Sequence, residues 1–360
     1  MSFFEARSSA NIELQPWVEK YRPRTIDDVS AQDHTVAVLR KTLSSTNLPH
    51  MLFYGPPGTG KTSTILALAR QLFGPDNFRN RVLELNASDE RGIGIVRDKI
   101  KSFARQTPRA QTVASDGQTY PCPPYKIIIL DEADSMTQDA QGALRRIMET
   151  YAHITRFCLV CNYVTRIIEP LASRCSKFRF TPLDPSSSTA RLTQIATAEH
   201  VNVDKPVIDT LITTSAGDLR RAITYLQSAA RLAVSTSPPT PITPRDVQEI
   251  AGVVPDDVIN SLARVLGVDI EGDMQIDVHA AKGFEAVSKQ VKYIMREGYS
   301  ASQVLSQLHD LIILHPLLNA RKKAQCALVF AEADKALCDG GDEELWILDV
   351  ALRVYKEVSL

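Results

Sequence analysis

The sequence predicts an α/β domain built on a parallel sheet, followed by a small helical domain and a C-terminal all-helical domain. Three observations carry this. Short apolar runs alternate with helical patterns as far as residue 181. A glycine-rich phosphate-loop signature follows the first of those runs, and after Pro182 strand-like runs disappear.

The expected strands are Met51–Tyr54, Val82–Asn86, Lys126–Leu130, Phe157–Cys161 and Phe178–Phe180. Most are apolar on both faces, the pattern of a sheet covered by helices on both sides. Gln106–Pro124, rich in Pro, Ser, Gly and Gln without apolar periodicity, is expected as a surface loop. Beyond Pro182, Ser186–Ser188 can cap a helix running through Glu199, and Pro206–Ala216 forms the next, ended by Gly217 in a left-handed conformation. Asp218 caps a third helix, Leu219–Val234. Ser235–Pro244 holds four prolines in ten residues and reads as a stiff linker. From Asp246 onward the pattern is helical, with breaks at Gly267–Gly272, Gly298, Pro316 and Gly340–Gly341. The expected domains are therefore 1–181, 182–244 and 245–360.

Composition narrows the function classes. In 360 residues, 41 Lys+Arg face 42 Asp+Glu for a net charge of −1, so any nucleic-acid contact must come from a local patch. Apolar residues at 44% and charged residues at 23% describe a globular chain. No run approaches the roughly 18 apolar residues that span a bilayer, so no membrane partner is expected. The first residues lack the apolar core of a secretory signal, which points to an intracellular protein. Of the six cysteines, Cys158 and Cys161 form C-x-x-C, but three residues apart on a strand they point to opposite faces, so buried structural roles are expected rather than zinc.

The run Gly55-Pro56-Pro57-Gly58-Thr59-Gly60-Lys61-Thr62 satisfies every constrained position of G-x-x-x-x-G-K-[ST], between an expected strand and the helix Ser63–Leu72. Backbone N–H groups of such a loop and the helix N-terminus cradle phosphates. Lys61 is expected to reach the β- and γ-phosphates, and Thr62 to offer its hydroxyl to Mg²⁺. The strand Lys126–Leu130 delivers Asp131 and Glu132 at its C-terminal end, where open α/β sheets bind ligands. Asp131 suits Mg²⁺ held through water, and Glu132 suits polarising an attacking water. Asp134 reads as an N-cap for a helix Ser135–Tyr151. Asp131-Glu-Ala-Asp134 also matches DEAD-box helicases, which need a second strand-rich domain that this sequence lacks.

One segment is strongly basic. Arg91, Arg97, Lys99, Lys101, Arg105 and Arg109 accompany a single acid, Asp98, for a local charge of +5. Arg97, Lys101 and Arg105 fall at i, i+4 and i+8 of a helix whose apolar side is Ile93, Val96, Ile100 and Phe103. Such a stripe follows DNA phosphates or is simply a solvated face.

Pro16-Trp-Val-Glu-Lys-Tyr-Arg-Pro23, Leu85-Asn-Ala-Ser-Asp-Glu-Arg-Gly92, Pro170-Leu-Ala-Ser-Arg-Cys175 and Gly217-Asp-Leu-Arg-Arg-Ala222 resemble motifs of AAA+ clamp-loader subunits, specifically the small subunits of eukaryotic replication factor C. Tyr120-Pro-Cys-Pro-Pro-Tyr125 resembles one branch of these subunits. The resemblance implies an AAA+ domain, a lid and a collar that joins five subunits into a ring. It implies ATP with Mg²⁺ as cofactors, and the other subunits, the sliding clamp PCNA and the backbone of primer–template DNA as partners. Alternative large subunits of related loaders and a nuclear location follow in the same way, with tasks in DNA replication and repair.

The resemblance also assigns residues. Asn162 occupies the first sensor position and Arg220 the second, with Arg221 rotated about 100° away on the same helix. Tyr21, Arg22 and Pro23 would lie against adenine and ribose, and Ser63 would join the phosphate loop in holding the nucleotide. Arg174 matches the arginine finger given to a neighbour's ATP, where a bland reading would be a surface ion pair. The region of Met136 and Thr137 resembles the element that meets the clamp, although Met136 equally suits a core. A scaffold subunit that binds ATP without essential turnover is the second reading of the whole chain.

Overall fold

The computed structural model describes residues 15–29, 32–44, 48–88, 94, 96–107, 120–235, 241–268 and 283–359. Two compact units are present, Met1–Ile242 and Thr243–Leu360.

The first unit is organised by a five-stranded sheet of β1 (Met51–Tyr54), β2 (Val82–Asn86), β3 (Lys126–Asp131), β4 (Thr155–Cys161) and β5 (Ser176–Arg179). All pairings are parallel, in the order β2-β3-β4-β1-β5. Every C-terminal strand end therefore lies on one edge, and β4 sits between the strand entering the phosphate loop and the acidic strand. Side chains alternate into two cores. Phe157, Leu159 and Cys161 join one, with Leu144, Ile147 and Met148 of the helix Gln138–Tyr151. Cys158 and Val160 join the other, with Ile65, Leu68 and Leu72 of the helix Lys61–Arg81. Burial pushes the Cys161 thiol up to about 12 and Cys158 well above its ordinary value. No group of three or more metal-binding side chains occurs among the described residues. All six cysteines are free; five are buried and Cys338 is exposed.

Several local expectations need correction. The helix after the phosphate loop extends to Arg81 across a kink, because Gly74 takes a left-handed φ of 68° and Pro75 follows it. A Cβ on Gly74 would lie 2.7 Å from the Tyr120 ring, so this kink receives the end of the expected loop. There Cys122 and Tyr125 are buried, and the Cys122 N–H donates to the Leu72 carbonyl at 3.0 Å. The rest of that loop, residues 108–119, lies outside the described residues.

Asp134 is not an N-cap. It sits in a short 3-10 turn, Ala133–Ser135, and its Oδ2 accepts the Tyr163 N–H at 3.2 Å, while Thr137 caps the helix Gln138–Tyr151. Met136 is a core residue, only 6% exposed, with an apolar environment that favours its thioether. The basic helix includes a π turn, Val96–Ile100, followed by an α-helical stretch, Lys101–Arg105. Arg91 lies outside the described residues; Lys101 and Arg105 are exposed.

Three helices complete the first unit: Pro185–Ala198, Lys205–Ser215 and Leu219–Ser235. Asp184 rather than Ser186–Ser188 occupies the first N-cap, because Pro185 suits the opening helical position. The second helix ends with both Ala216 and Gly217 left-handed. The second unit contains only helices among its described residues: Pro244–Ala251, Asp256–Val265, Phe284–Arg296, Ala301–Leu314, Ala320–Cys338 and Glu343–Ser359. Leu262, Val291, Leu308 and Val350 lie in their shared core. No second strand-rich domain is present among the described residues, which removes the ground for a helicase reading. None of the described helices is long and apolar enough to cross a membrane.

Candidate nucleotide site

The site is built where β1, β3 and β4 end. Gly55–Gly60 links β1 to the helix beginning at Lys61, with Gly60 as a left-handed N-cap. Gly58 has φ +70°, and a Cβ there would sit 1.8 Å from Asp218 Oδ1. Only glycine lets the loop touch the N-terminus of the helix Leu219–Ser235 so closely. Asp218 in turn accepts the backbone N–H groups of Arg220 at 2.9 Å and Arg221 at 3.2 Å.

Lys61 is buried at the loop's centre. Its Nζ donates to the Gly55 carbonyl at 2.8 Å, the Pro56 carbonyl at 2.7 Å and Asn162 Oδ1 at 2.9 Å. Burial lowers its pKa, and the nearby Asp131 charge acts against that shift. Thr62 Oγ1 donates to Asp131 Oδ2 at 2.8 Å, and the Glu132 N–H donates to Asp131 Oδ1 at 2.9 Å. Both oxygens of this carboxylate are thereby oriented. Glu132 itself stands exposed in a left-handed backbone, φ 50°.

One cleft brings together Tyr21, Arg22, Pro23, the run Pro57–Ser63, Asp131, Glu132, Asn162 and Arg220. Gly55 and Pro56 lie beneath it, as the carbonyls that hold Lys61. Arg221 is outside the lining and pairs instead with Asp218 at 3.8 Å, as the rotation along the helix requires. Arg22 Nε donates to Ser63 Oγ at 3.3 Å. Arg174 is not part of this lining: it is exposed, ion-paired with Glu149 at 2.7 Å, and donates to the Pro170 carbonyl at 2.6 Å.

Sequence reasoning missed part of the wall. Val18, Val29, Leu183, Leu219 and Ile223 give it an apolar side, and Glu19, Asp28 and Arg191 add charge. Val18, Glu19 and Leu219 lie inside quoted motifs without being singled out, while Asp28, Val29, Leu183, Arg191 and Ile223 fall outside every motif. A shallow groove elsewhere joins Lys101 to Arg145 and Arg146 of the helix Gln138–Tyr151, with Asp98 and Asp139 on its rim.

Three family descriptions match the chain. The ATPase family associated with various cellular activities (AAA) covers residues 51–183, an RCF1/5-like AAA+ ATPase lid domain covers 190–231, and the replication factor C C-terminal domain covers 273–353. Replication factor C subunit 2 of Schizosaccharomyces pombe is 52% identical over 354 residues, 97% of this chain and 98% of the relative. Subunit 2 of Saccharomyces cerevisiae is 52% identical over 340 residues, 94% of this chain and 92% of its own length. Replication factor C subunit 4 of Homo sapiens is 49% identical over 344 residues, covering 96% and 89%. Among solved structures, the RuvB Holliday junction branch migration motor of Thermotoga maritima superposes with a TM-score of 0.50 at 16% identity, over 80% of this chain and 91% of that one, a likeness of fold alone. With the phosphate loop, the acidic strand end and the lid helix meeting in one cleft, these likenesses lead to one conclusion: the chain belongs to the replication factor C family of AAA+ ATPase subunits.

Proposed function

We propose that this chain is an ATP-hydrolysing subunit of a five-membered clamp loader that opens PCNA and places it on primer–template DNA in the nucleus, for replication and repair. The observation that carries the reading is the convergence of Lys61, Thr62, Asp131, Glu132, Asn162 and Arg220 on one cleft. The backbone of Gly55–Gly60 and the helix N-terminus bind the ATP phosphates, and Lys61 neutralises the β- and γ-oxygens. Glu132 orients and polarises the attacking water, and the Asn162 amide fixes that water or the γ-phosphate. Arg220 reaches the γ-phosphate from the lid, while Tyr21, Arg22, Pro23 and the apolar wall take the nucleoside.

Thr62 and Asp131 would hold Mg²⁺: a hydroxyl and a carboxylate 2.8 Å apart beside the phosphate loop form a hard-oxygen pair that fits it. Bound there, the ion supplies charge neutralisation at the phosphates. Arg174 serves a neighbouring subunit's ATP, a role supported by its exposure and its absence from the lining of this chain's own cleft. Lys101, Arg105 and, by position, Arg91 and Arg97 follow the DNA backbone, with the groove residues Arg145 and Arg146 adding positive charge. The three domains are 1–181, 182–244 and 245–360, the last joining neighbours in the ring. Alternative large subunits are further partners.

The test is Glu132→Gln in the assembled complex. ATP binding at this site is retained and its hydrolysis falls about 10²-fold or more, with clamp loading reduced. Loading at the native rate with turnover lost would leave the chain as an ATP-binding scaffold.

A further inference from the structure

The wall formed by Tyr21 and Arg22 is fastened to the lid in a manner that no nucleotide motif encodes. Lys20 Nζ and the Tyr21 hydroxyl both donate to Glu199 Oε1, at 2.6 and 2.5 Å. Glu199 is the C-cap of the lid helix Pro185–Ala198. A carboxylate at that end opposes the helix dipole, so its placement is costly unless a cation meets it. Lys20 does so, with side chains only 25% and 16% exposed for Lys20 and Glu199. About two turns earlier in the same helix, Arg191 donates to the Tyr21 carbonyl at 2.7 Å while lining the cleft. The Trp17 N–H donates to Gln227 Oε1 at 3.2 Å, on the helix that carries Arg220 in its first turn. Toward the sheet, Arg22 reaches Ser63 through a longer 3.3 Å contact.

We propose that Glu199 and Arg191 are positioning residues of the ATP site: they clasp the Trp17–Tyr21 turn to the lid, so that the nucleoside wall travels with Arg220. This rests on the ATP-site reading above. Burial, then the Glu199 hydrogen bond, pushes the Tyr21 phenol up to about 12, and although burial alone would raise Glu199, its bonds from Lys20 and Tyr21 hold it below the usual range. The clasp is therefore charged and hydrogen-bonded throughout the neutral range. Opening the lid withdraws the wall from the nucleoside and Arg220 from the phosphate together, which makes nucleotide release a single motion.

The test uses the full chain and the release rate of a fluorescent ATP analogue. Glu199→Gln and Lys20→Met each speed release about tenfold, the scale of one charge-assisted bond. The double variant is no faster than Glu199→Gln alone, because Glu199 is the shared acceptor through which Lys20 acts. The swapped pair Lys20→Glu with Glu199→Lys recovers most of the native rate, which a purely structural defect would not do. Native release from Glu199→Gln, or single effects that multiply in the double variant, would overturn the clasp. Lys61→Ala, run alongside, loses binding; if it binds normally, the ATP-site reading itself fails, whatever the clasp variants do.

Discussion

His50 illustrates how a single side chain acquires a role from the fold. It precedes β1, its Nδ1 accepts the Phe157 N–H at 3.1 Å, and its ring packs on Phe157 at 5.6 Å. Burial, helped by the Arg156 charge, holds its pKa down from 6.5 to about 4. Below pH 6.5 the unfolded chain binds a proton that the folded chain refuses. Stability from this group is therefore complete above 6.5 and falls until the pH reaches about 4, by up to about 3 kcal/mol. His50→Gln should flatten that part of the stability profile in urea melts; an unchanged slope would contradict the assignment. The motif residues were legible because each rule is local: glycines for the loop, a lysine and a threonine at its end, an acidic pair closing an apolar run. Asp134 was not, because an acid before a helical pattern has the same local signature whether it caps that helix or binds Tyr163 on another element.

At the scale of elements, the helix Gln138–Tyr151 shows where periodicity reads well and where it fails. Ala140, Leu144, Ile147 and Met148 form its buried stripe. Gln141 is equally buried, 1% exposed, although a glutamine in a helical pattern reads as solvated. Its Nε2 donates to the Met136 and Arg166 carbonyls at 3.2 and 3.1 Å, and its Oε1 accepts the Ile168 N–H at 2.9 Å. It ties the turn after β3 to the segment after β4, and so the surroundings of Glu132 to those of Asn162. Gln141→Leu leaves the buried Met136 carbonyl and two half-buried backbone groups without this partner and should cost about 1–3 kcal/mol. A chemical-denaturation loss below about 0.5 kcal/mol would show that these groups find water instead. The five strands were legible to within a few residues from apolar runs alone. The kink at Gly74 and the π turn at Val96–Ile100 were not, since each depends on a partner distant in sequence or on a local change of helical pitch.

For the molecule as a whole, the order of a sheet domain, a lid and a helical bundle followed from where strand-like runs stop and where prolines gather. Strand order is another matter: that β4 lies between β1 and β3 is a fact of pairing that no single segment carries. The net charge of −1 coexists with an exposed basic helix because acids elsewhere balance it. Burial of Cys122, Cys158, Cys161, Cys175 and Cys326 gives the molecule a chemical signature. With Cys338 the exposed thiol, brief maleimide treatment of the native chain should add one adduct by mass spectrometry, and treatment in denaturant should add six. Rapid multiple labelling under native conditions would contradict that burial. A dye at Cys338 would then report on the C-terminal bundle without any engineered site, so the native sequence already carries its own spectroscopic handle.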